Sequence, residues 1–125
     1  MSPISKRVLV VDDNACVRKT LCELFTSAGY ECVEAENAAR GLERAEHAQP
    51  DVIVLDFSMP VMNGLEAAPL FKKRFPRTPI VMFTMFANES FARTAKEAGV
   101  DEVFSKDRAG RLIPKVGALL ETSQK

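Results

Sequence analysis

Residues 51–56 have the sequence Asp-Val-Ile-Val-Leu-Asp, in which four branched apolar residues stand in a row and end at a carboxylate. A run that is apolar at every position, rather than at every second one, is typical of a strand buried on both faces of a parallel sheet. Pro50 separates the run from the helical segment before it, because proline ends a helix. We therefore predict that residues 51–55 form the central strand of a parallel sheet.

The same alternation of an apolar run and a helical segment extends from this strand toward both ends of the chain. It occurs five times in 125 residues. The pattern favours an α/β fold, a doubly wound parallel sheet of five strands covered by five helices. The run at residues 30–35 sets Cys and Val against Glu, which is typical of a strand near the sheet edge. The other predicted strands are residues 7–11, 80–83 and 102–105.

Capping residues and prolines set the limits of the predicted helices. Gly29 and Gly99 are typical helix C-terminal signals, and Asn88 is a typical N-cap. Pro69 falls inside the third predicted helix, where it should kink the helix or delay its first stable turn. Pro114 is tolerated if the fifth helix begins there. The helix after Asn88 is rich in alanine and buries little apolar area, so we expect it to shift easily.

Length and charge limit the class of protein. The chain has the size of one ordinary domain, and we expect residues 1–125 to form a single domain. Lys and Arg number 17 and Asp and Glu number 17, so DNA binding by this domain alone is not expected. No apolar stretch approaches the roughly 20 residues that span a bilayer, and no signal-peptide-like segment precedes residue 7. We expect a cytoplasmic protein with no membrane contact.

The cysteines and the histidine argue against two kinds of site. Cys16, Cys22 and Cys32 are odd in number and lack Cys-x-x-Cys spacing. We therefore expect neither a zinc site nor a disulfide framework. In a reducing compartment the three cysteines should act as small, partly buried apolar residues. His47 is the only histidine, so a His-based metal site is excluded.

Reactive side chains stand at or just beyond the ends of four predicted strands. Asp12 and Asp13 follow the first strand, Asp56 the central strand, Thr84 the fourth and Lys106 the fifth. In an open parallel sheet the carboxyl ends of the strands lie along one edge, where ligands bind. The sequence therefore predicts one site at which three carboxylates, a hydroxyl and an ammonium meet.

Three carboxylates in one pocket repel each other unless their proton affinities rise or a hard cation binds. Mg²⁺ fits oxygen ligands best, so we expect Asp13 and Asp56 to bind it directly and Asp12 through water. The Asp56 carboxylate could also attack phosphorus to form an aspartyl phosphate, and Lys106 is placed to stabilise the charge of the transferred group. The Thr84 hydroxyl could hydrogen-bond a phosphoryl oxygen.

Four segments carry a resemblance to a known family. In order and spacing they resemble the receiver domain of bacterial response regulators, the chemotaxis-regulator-like module of two-component signalling. Each segment alone is weak evidence, but together they cover essentially the whole chain. The resemblance implies a flavodoxin-like sheet with strand order 2-1-3-4-5. The segments are Val8-Leu-Val-Val-Asp-Asp-Asn14, Val54-Leu-Asp-Phe-Ser-Met-Pro-Val-Met-Asn-Gly64, Val81-Met-Phe-Thr84 and Phe104-Ser-Lys106.

The resemblance also implies a metal site and a cofactor. Asp12 and Asp13 would be the acidic pair that holds Mg²⁺, and Ser58 would contribute a backbone carbonyl to the same ion. Asp56 would be both a metal ligand and the phosphoacceptor. The domain would not be an enzyme beyond catalysing its own phosphorylation from a phosphodonor and its autodephosphorylation.

By the same resemblance, Thr84 would be the switch hydroxyl and Lys106 the partner of the phosphoryl group. A sensor histidine kinase or a histidine phosphotransfer protein would donate that group. The fourth helix, fifth strand and fifth helix would form the readout surface for a downstream protein target that the sequence does not name. Many receivers dimerise through this face, so a homodimer is compatible with the resemblance.

Two positions depart from the family pattern. The switch aromatic of the family lies three residues before the lysine, but Val103 stands there and the nearby ring is Phe104. Because side chains alternate along a strand, we expect Phe104 to point to the opposite face. A small residue usually follows the threonine, whereas Met85 and Phe86 follow Thr84 here. We expect these bulky side chains to alter the access of water or of a phosphodonor, and hence the rate of autodephosphorylation.

Two other functions fit parts of the pattern. A degenerate receiver would bind partners without phosphorylation, and Val103 and Met85 leave room for it. A phosphatase with an aspartate nucleophile would need a general acid two residues after Asp56, where Ser58 stands, and more chain for a cap domain. Taken singly, each residue of the site is explained as well by a helix cap, a turn or a surface charge. Their joint position at four strand ends favours the phosphoryl-accepting switch.

Overall fold

The computed structural model describes residues 6–123, which form a parallel five-stranded sheet with the order β2-β1-β3-β4-β5. All four strand pairings are parallel. The doubly wound sheet is confirmed, with the strand predicted at residues 51–55 at its centre, where the structure has Val52–Asp56, and the polar second strand at one edge. The strands are β1 (Arg7–Val11), β2 (Glu31–Ala35), β3 (Val52–Asp56), β4 (Ile80–Thr84) and β5 (Glu102–Ser105).

Five α-helices connect and cover the strands. Asparagine is the N-cap of the first four, and each asparagine side chain accepts a hydrogen bond from a backbone N–H of the first turn. None of the helices within residues 6–123 is long and apolar enough to cross a membrane. The helices are α1 (Ala15–Ser27), α2 (Ala38–Ala48), α3 (Gly64–Arg74), α4 (Glu89–Glu97) and α5 (Leu112–Ser123), with a 3₁₀ helix at Lys106–Arg111.

The core has two layers because helices cover both faces of the sheet. On one face, Leu21 and Phe25 of α1 meet Leu112 and Val116 of α5 against the sheet. On the other face, α2, α3 and α4 pack against the alternate side chains of the same strands, with Phe71 of α3 fully buried. Every residue of β3 and β4 is buried, as expected for the inner strands of such a sheet.

Several predicted boundaries move by a residue or more. β3 and β4 each extend one residue further than predicted, so Asp56 and Thr84 close their strands rather than follow them. The expected delay of α3 is wrong, because the helix begins at Gly64 and continues through Pro69. Pro114 is the third residue of α5, where its missing N–H would have no intrahelical partner in any case.

The expectation of no disulfide is also wrong. Cys22 of α1 and Cys32 of β2 are joined, with their Cα atoms 5.4 Å apart. The chain returns from α1 directly into β2, so two cysteines ten positions apart come together across that turn. Cys16 is free and exposed. Spacing rules for metal or redox motifs do not detect a pair of this kind, because it depends on the packing of a helix against the next strand.

Candidate functional site

The predicted residues meet at the carboxyl edge of the sheet. Asp12 directly follows β1, Asp56 ends β3 and Thr84 ends β4, while Lys106 directly follows β5. These strands are neighbours in the sheet, so their ends are adjacent although the residues are far apart in sequence. Only 2% of Asp12, 4% of Asp56 and 1% of Thr84 is exposed, so each of these three polar side chains is almost completely shielded from solvent.

Lys106 joins the two buried carboxylates. Its Nζ lies 3.1 Å from Oδ1 of Asp56 and 3.2 Å from Oδ2 of Asp12. The ammonium is also 6.0 Å from the centre of the Phe83 ring, within reach of a cation–π interaction. The strand end of β5 is therefore tied electrostatically to the ends of β1 and β3.

The pKa values of the pocket are shifted by its burial and its crowding. Burial raises the pKa of Asp56, and the neighbouring Asp12 raises it further, while Lys106 and the backbone N–H of Ser58 oppose the shift by hydrogen bonding. For Lys106, burial alone would lower the pKa, but Asp12 and Asp56 outweigh that effect and leave the pKa raised. The two carboxylates therefore favour the charged form of Lys106 despite its partial burial.

Asp13 completes a cluster that could hold a metal ion. One carboxylate oxygen from each of Asp12, Asp13 and Asp56 lies within 4.8 Å of the other two. Asp13 is exposed, whereas the other two are buried, so a cation bound among them would be reached from solvent on one side. Three oxygen donors with one open side suit a hard cation that keeps several waters, which is the preference of Mg²⁺.

Local hydrogen bonds fix the orientation of Asp12. Its Oδ1 accepts from the backbone N–H of Asn14 at 2.9 Å, and Asn14 in turn caps α1. The backbone carbonyl of Asp12 accepts from the guanidinium of Arg18 at 2.7 Å. Asp12 is therefore held from both its side chain and its backbone, which leaves Oδ2 directed to Lys106.

The loop after β3 contains a close contact that the sequence analysis missed. A Cβ atom on Gly64 would lie 2.5 Å from the backbone oxygen of Asp56 and 2.9 Å from Cα of Phe57. The Gly64 N–H donates to the Phe57 carbonyl at 2.8 Å, and Asn63 with Glu66 forms a capping box at the start of α3. Because Gly64 has no side chain, α3 can begin directly against the strand end that carries Asp56.

The loop after β4 begins at Thr84, whose hydroxyl oxygen accepts from the backbone N–H of Phe86 at 3.1 Å. Met85 and Phe86 are 59% and 54% exposed, so the bulky residues beside the site lie largely in solvent. The predicted orientation of Phe104 is confirmed: its ring packs with Phe83 on the α1 and α5 face, whereas Val103 packs on the face covered by α2, α3 and α4.

The sequence that forms this site matches a family of known proteins. The family model described as the response regulator receiver domain matches residues 8–116. The chain belongs to the response regulator receiver domain family. Receiver domains of this family are parts of two-component response regulators and typically carry an acidic pocket that binds Mg²⁺.

Relatives and solved structures agree with the family. The chain is 34% identical over 104 residues to chemotaxis protein CheY of Thermotoga maritima, and the alignment covers 82% of this chain and 87% of the relative. It is 42% identical over 107 residues to a protein-glutamate methylesterase/protein-glutamine glutaminase of Archaeoglobus fulgidus, over 82% of this chain but only 30% of that protein. A CheY-like receiver domain protein of Methanospirillum hungatei superposes with a TM-score of 0.90 at 25% identity, over 97% of this chain and 98% of the other.

Proposed function

We propose that this receiver domain, residues 1–125, is a signalling switch that accepts a phosphoryl group on Asp56. The donor is the phosphohistidine of a sensor histidine kinase or of a histidine phosphotransfer protein. The observation that carries the proposal is the position of the Lys106 ammonium, 3.1 Å from the Asp56 carboxylate within a pocket that is otherwise acidic. A cation in this position would stabilise negative charge as it develops on a transferred phosphoryl group.

The chemistry is a nucleophilic displacement at phosphorus. A carboxylate oxygen of Asp56 attacks the phosphorus atom, the O–P bond forms as the N–P bond to histidine breaks, and the departing imidazole takes up a proton from solvent. Burial of Asp56 keeps water away from the resulting acyl phosphate, since only 4% of the residue is exposed. The lifetime of the phosphoryl group then depends on how water reaches it past the loops that follow β3 and β4.

The acidic cluster supports Mg²⁺ as the cofactor. Asp12, Asp13 and Asp56 would hold the ion, with the backbone carbonyl of Ser58 as a further ligand. When bound, Mg²⁺ would neutralise the crowded carboxylates and part of the charge on the transferred group. Lys106 would supply a second positive charge from the end of β5, so the two cations together would offset the charge that phosphorylation brings.

The switch follows from the same charges. A phosphoryl group adds three strong acceptor oxygens and negative charge, which favours a shorter contact with Lys106 and a hydrogen bond from the Thr84 hydroxyl. Thr84 begins the loop that leads into α4, so movement of its hydroxyl alters that loop. The surface made by α4, β5 and α5 would then present two different shapes to a downstream protein.

Intact-mass spectrometry tests the proposal. The protein is incubated with MgCl₂ and acetyl phosphate, with an Asp56→Asn variant and an EDTA sample in parallel. We expect one phosphoryl adduct on the wild type with Mg²⁺ and none on the variant or in EDTA. Because bulky residues beside the site could exclude a small donor, a phosphorylated histidine phosphotransfer protein serves as the second donor. Absence of an adduct with both donors would refute the proposal.

A further inference from the structure

Three phenylalanine rings link the site to α4, and we call them the phenylalanine cluster: Phe57, Phe86 and Phe91. The ring of Phe57 lies 5.9 Å from that of Phe86 and 5.0 Å from that of Phe91, with interplanar angles of 83° and 84°. These are edge-to-face contacts, the arrangement that aromatic pairs favour. Phe57 directly follows Asp56, Phe86 lies in the loop after Thr84, and Phe91 lies in the first turn of α4.

One end of the phenylalanine cluster is attached to the switch hydroxyl. The backbone N–H of Phe86 donates to the hydroxyl oxygen of Thr84 at 3.1 Å. A hydroxyl has one proton to donate and two acceptor lone pairs. Thr84 can therefore donate its proton to a phosphoryl oxygen on Asp56 while it still accepts from Phe86, and a movement of the hydroxyl carries the backbone of Phe86 with it.

The other end of the phenylalanine cluster anchors α4. Phe91 is the only large apolar side chain within Glu89–Glu97, and Ala95 is the only fully buried residue of the helix. The helix is therefore held to the rest of the molecule by few apolar contacts, and these include the edge-to-face contact between Phe91 and Phe57. A helix with so little buried area changes position at low cost.

Strand β5 offers no aromatic side chain on this face of the sheet. Val103 occupies the α2, α3 and α4 side, and the Phe104 ring lies on the opposite side, 6.5 Å from the ring of Phe83. An aromatic side chain of β5 therefore cannot transmit a movement of Thr84 to the surface on this face of the sheet. The rings of the phenylalanine cluster, in contrast, touch both the loop after Thr84 and α4.

We propose that the phenylalanine cluster couples the phosphoryl state of Asp56 to the position of α4, in place of an aromatic side chain on β5. The inference rests on the proposed phosphorylation of Asp56. Inward movement of Thr84 draws Phe86 along, which changes the contact of Phe86 with Phe57, and Phe57 passes the change to Phe91 and thus to α4. Phe86 and Phe57 are positioning residues in this scheme, since neither contacts the reacting atoms.

Amide chemical shifts test the coupling. Isotope-labelled protein is kept phosphorylated with MgCl₂ and excess acetyl phosphate, or with the phosphotransfer protein, and intact mass verifies full occupancy of each sample. The variants are Phe86→Ala, which removes a half-exposed ring, and Phe57→Leu, which keeps apolar bulk. Phe104→Leu is the matched control, because it removes a half-buried ring that is also part of an aromatic pair but lies on the other face.

We expect phosphorylation to shift the amides of Ala92 and Ala95 in the wild type and in Phe104→Leu. In Phe86→Ala and Phe57→Leu those α4 shifts should be largely lost, while the shift of the Lys106 amide beside the phosphoryl group remains. Full α4 shifts in Phe86→Ala, or their loss in Phe104→Leu, would overturn the coupling but leave the phosphorylation of Asp56 standing. A wild type that takes up no phosphoryl group would overturn both.

Discussion

Replacement of Gly64 by alanine should damage the fold and the site together. The added Cβ would lie 2.5 Å from the backbone oxygen of Asp56, 2.9 Å from Cα of Phe57 and 2.9 Å from Cε of Met82, whereas ordinary contacts are 3.4–4 Å. The methionine end can move aside, but the two backbone atoms belong to the end of the central strand. β3 is paired with β1 on one side and β4 on the other, so it cannot retreat. The start of α3 must move instead.

The size of the effect follows from two opposed terms. Forcing an extra methyl group into a packed region costs about 1–3 kcal/mol, and a backbone obstacle places this site toward the upper end. Alanine recovers up to about 1 kcal/mol relative to glycine in a helix interior, and less at the first helical position. We therefore expect Gly64→Ala to lower the free energy of unfolding by about 2 kcal/mol, which for a domain of this size lowers the melting temperature by roughly 8 °C.

Urea denaturation followed by circular dichroism measures the change, and Gly110→Ala is the matched control. A Cβ on Gly110 meets nothing within 4 Å, so that variant should stay within about 0.5 kcal/mol of the wild type. Because the obstacle is the Asp56 backbone itself, phosphorylation by acetyl phosphate should also slow by about tenfold or more in Gly64→Ala. Equal stability of Gly64→Ala and Gly110→Ala would refute the argument from close contact.

Four further predictions concern single residues. Val61 is fully exposed with φ of 71°, so Val61→Asn should raise the free energy of unfolding by about 1 kcal/mol in urea, and no gain would mean that the backbone there is unstrained. The Asp13 carboxylate repels Asp12 and Asp56 when no metal is bound, so Asp13→Asn should raise the melting temperature in EDTA. The same variant should lose the further rise in melting temperature that MgCl₂ gives the wild type. Glu23→Gln, which removes an exposed carboxylate of α1, should show neither effect. Burial raises the pKa of Tyr30, the only tyrosine, so the ultraviolet absorbance of the tyrosine should titrate at higher pH in native protein than in urea. The contribution of this pKa shift to stability is present below the pKa of the unfolded chain and is lost as the pH rises through the pKa of the folded protein. Met85→Ala should change the rate of autodephosphorylation followed by intact mass, and equal rates in variant and wild type would count against shielding by Met85.

The fold could be predicted because apolar strands and helical segments alternate regularly along the whole chain. The apolar run before Asp56 identifies an inner strand by composition alone, and the alternation of strands and helices restricts the connections to a doubly wound sheet. Once the sheet is parallel, the ends of its strands lie at one edge. Asp12, Asp56 and Lys106 could therefore be assigned to one pocket, and Thr84 to the same edge of the sheet, without knowledge of any distance.

The features that could not be predicted from the sequence depend on short contacts between neighbouring helices, strands and loops. The Cys22–Cys32 bond requires the packing of α1 against β2, which apolar periodicity does not specify. An Asn-Gly pair such as Asn63-Gly64 indicates a turn wherever it occurs, so it does not reveal that the backbone oxygen of Asp56 lies beside Gly64. Pro69 does not delay α3, because a capping box fixes the start of the helix ahead of it.

The inner strands β3 and β4 are completely buried, whereas β5 and the neighbouring α4 are only partly buried and can move more easily. Every residue of β3 and β4 is buried, so Asp56 and Thr84 end strands that lie entirely in the interior of the molecule. Every residue of β5 is only partly buried, and α4 buries a single alanine completely. A phosphoryl group needs to change the balance between two arrangements by only a few kcal/mol to reverse their populations. That amount is small against the packing of β3 and β4 but comparable with the packing of α4, so the energy of phosphorylation would be expressed as movement at the edge of the sheet rather than as distortion of the site.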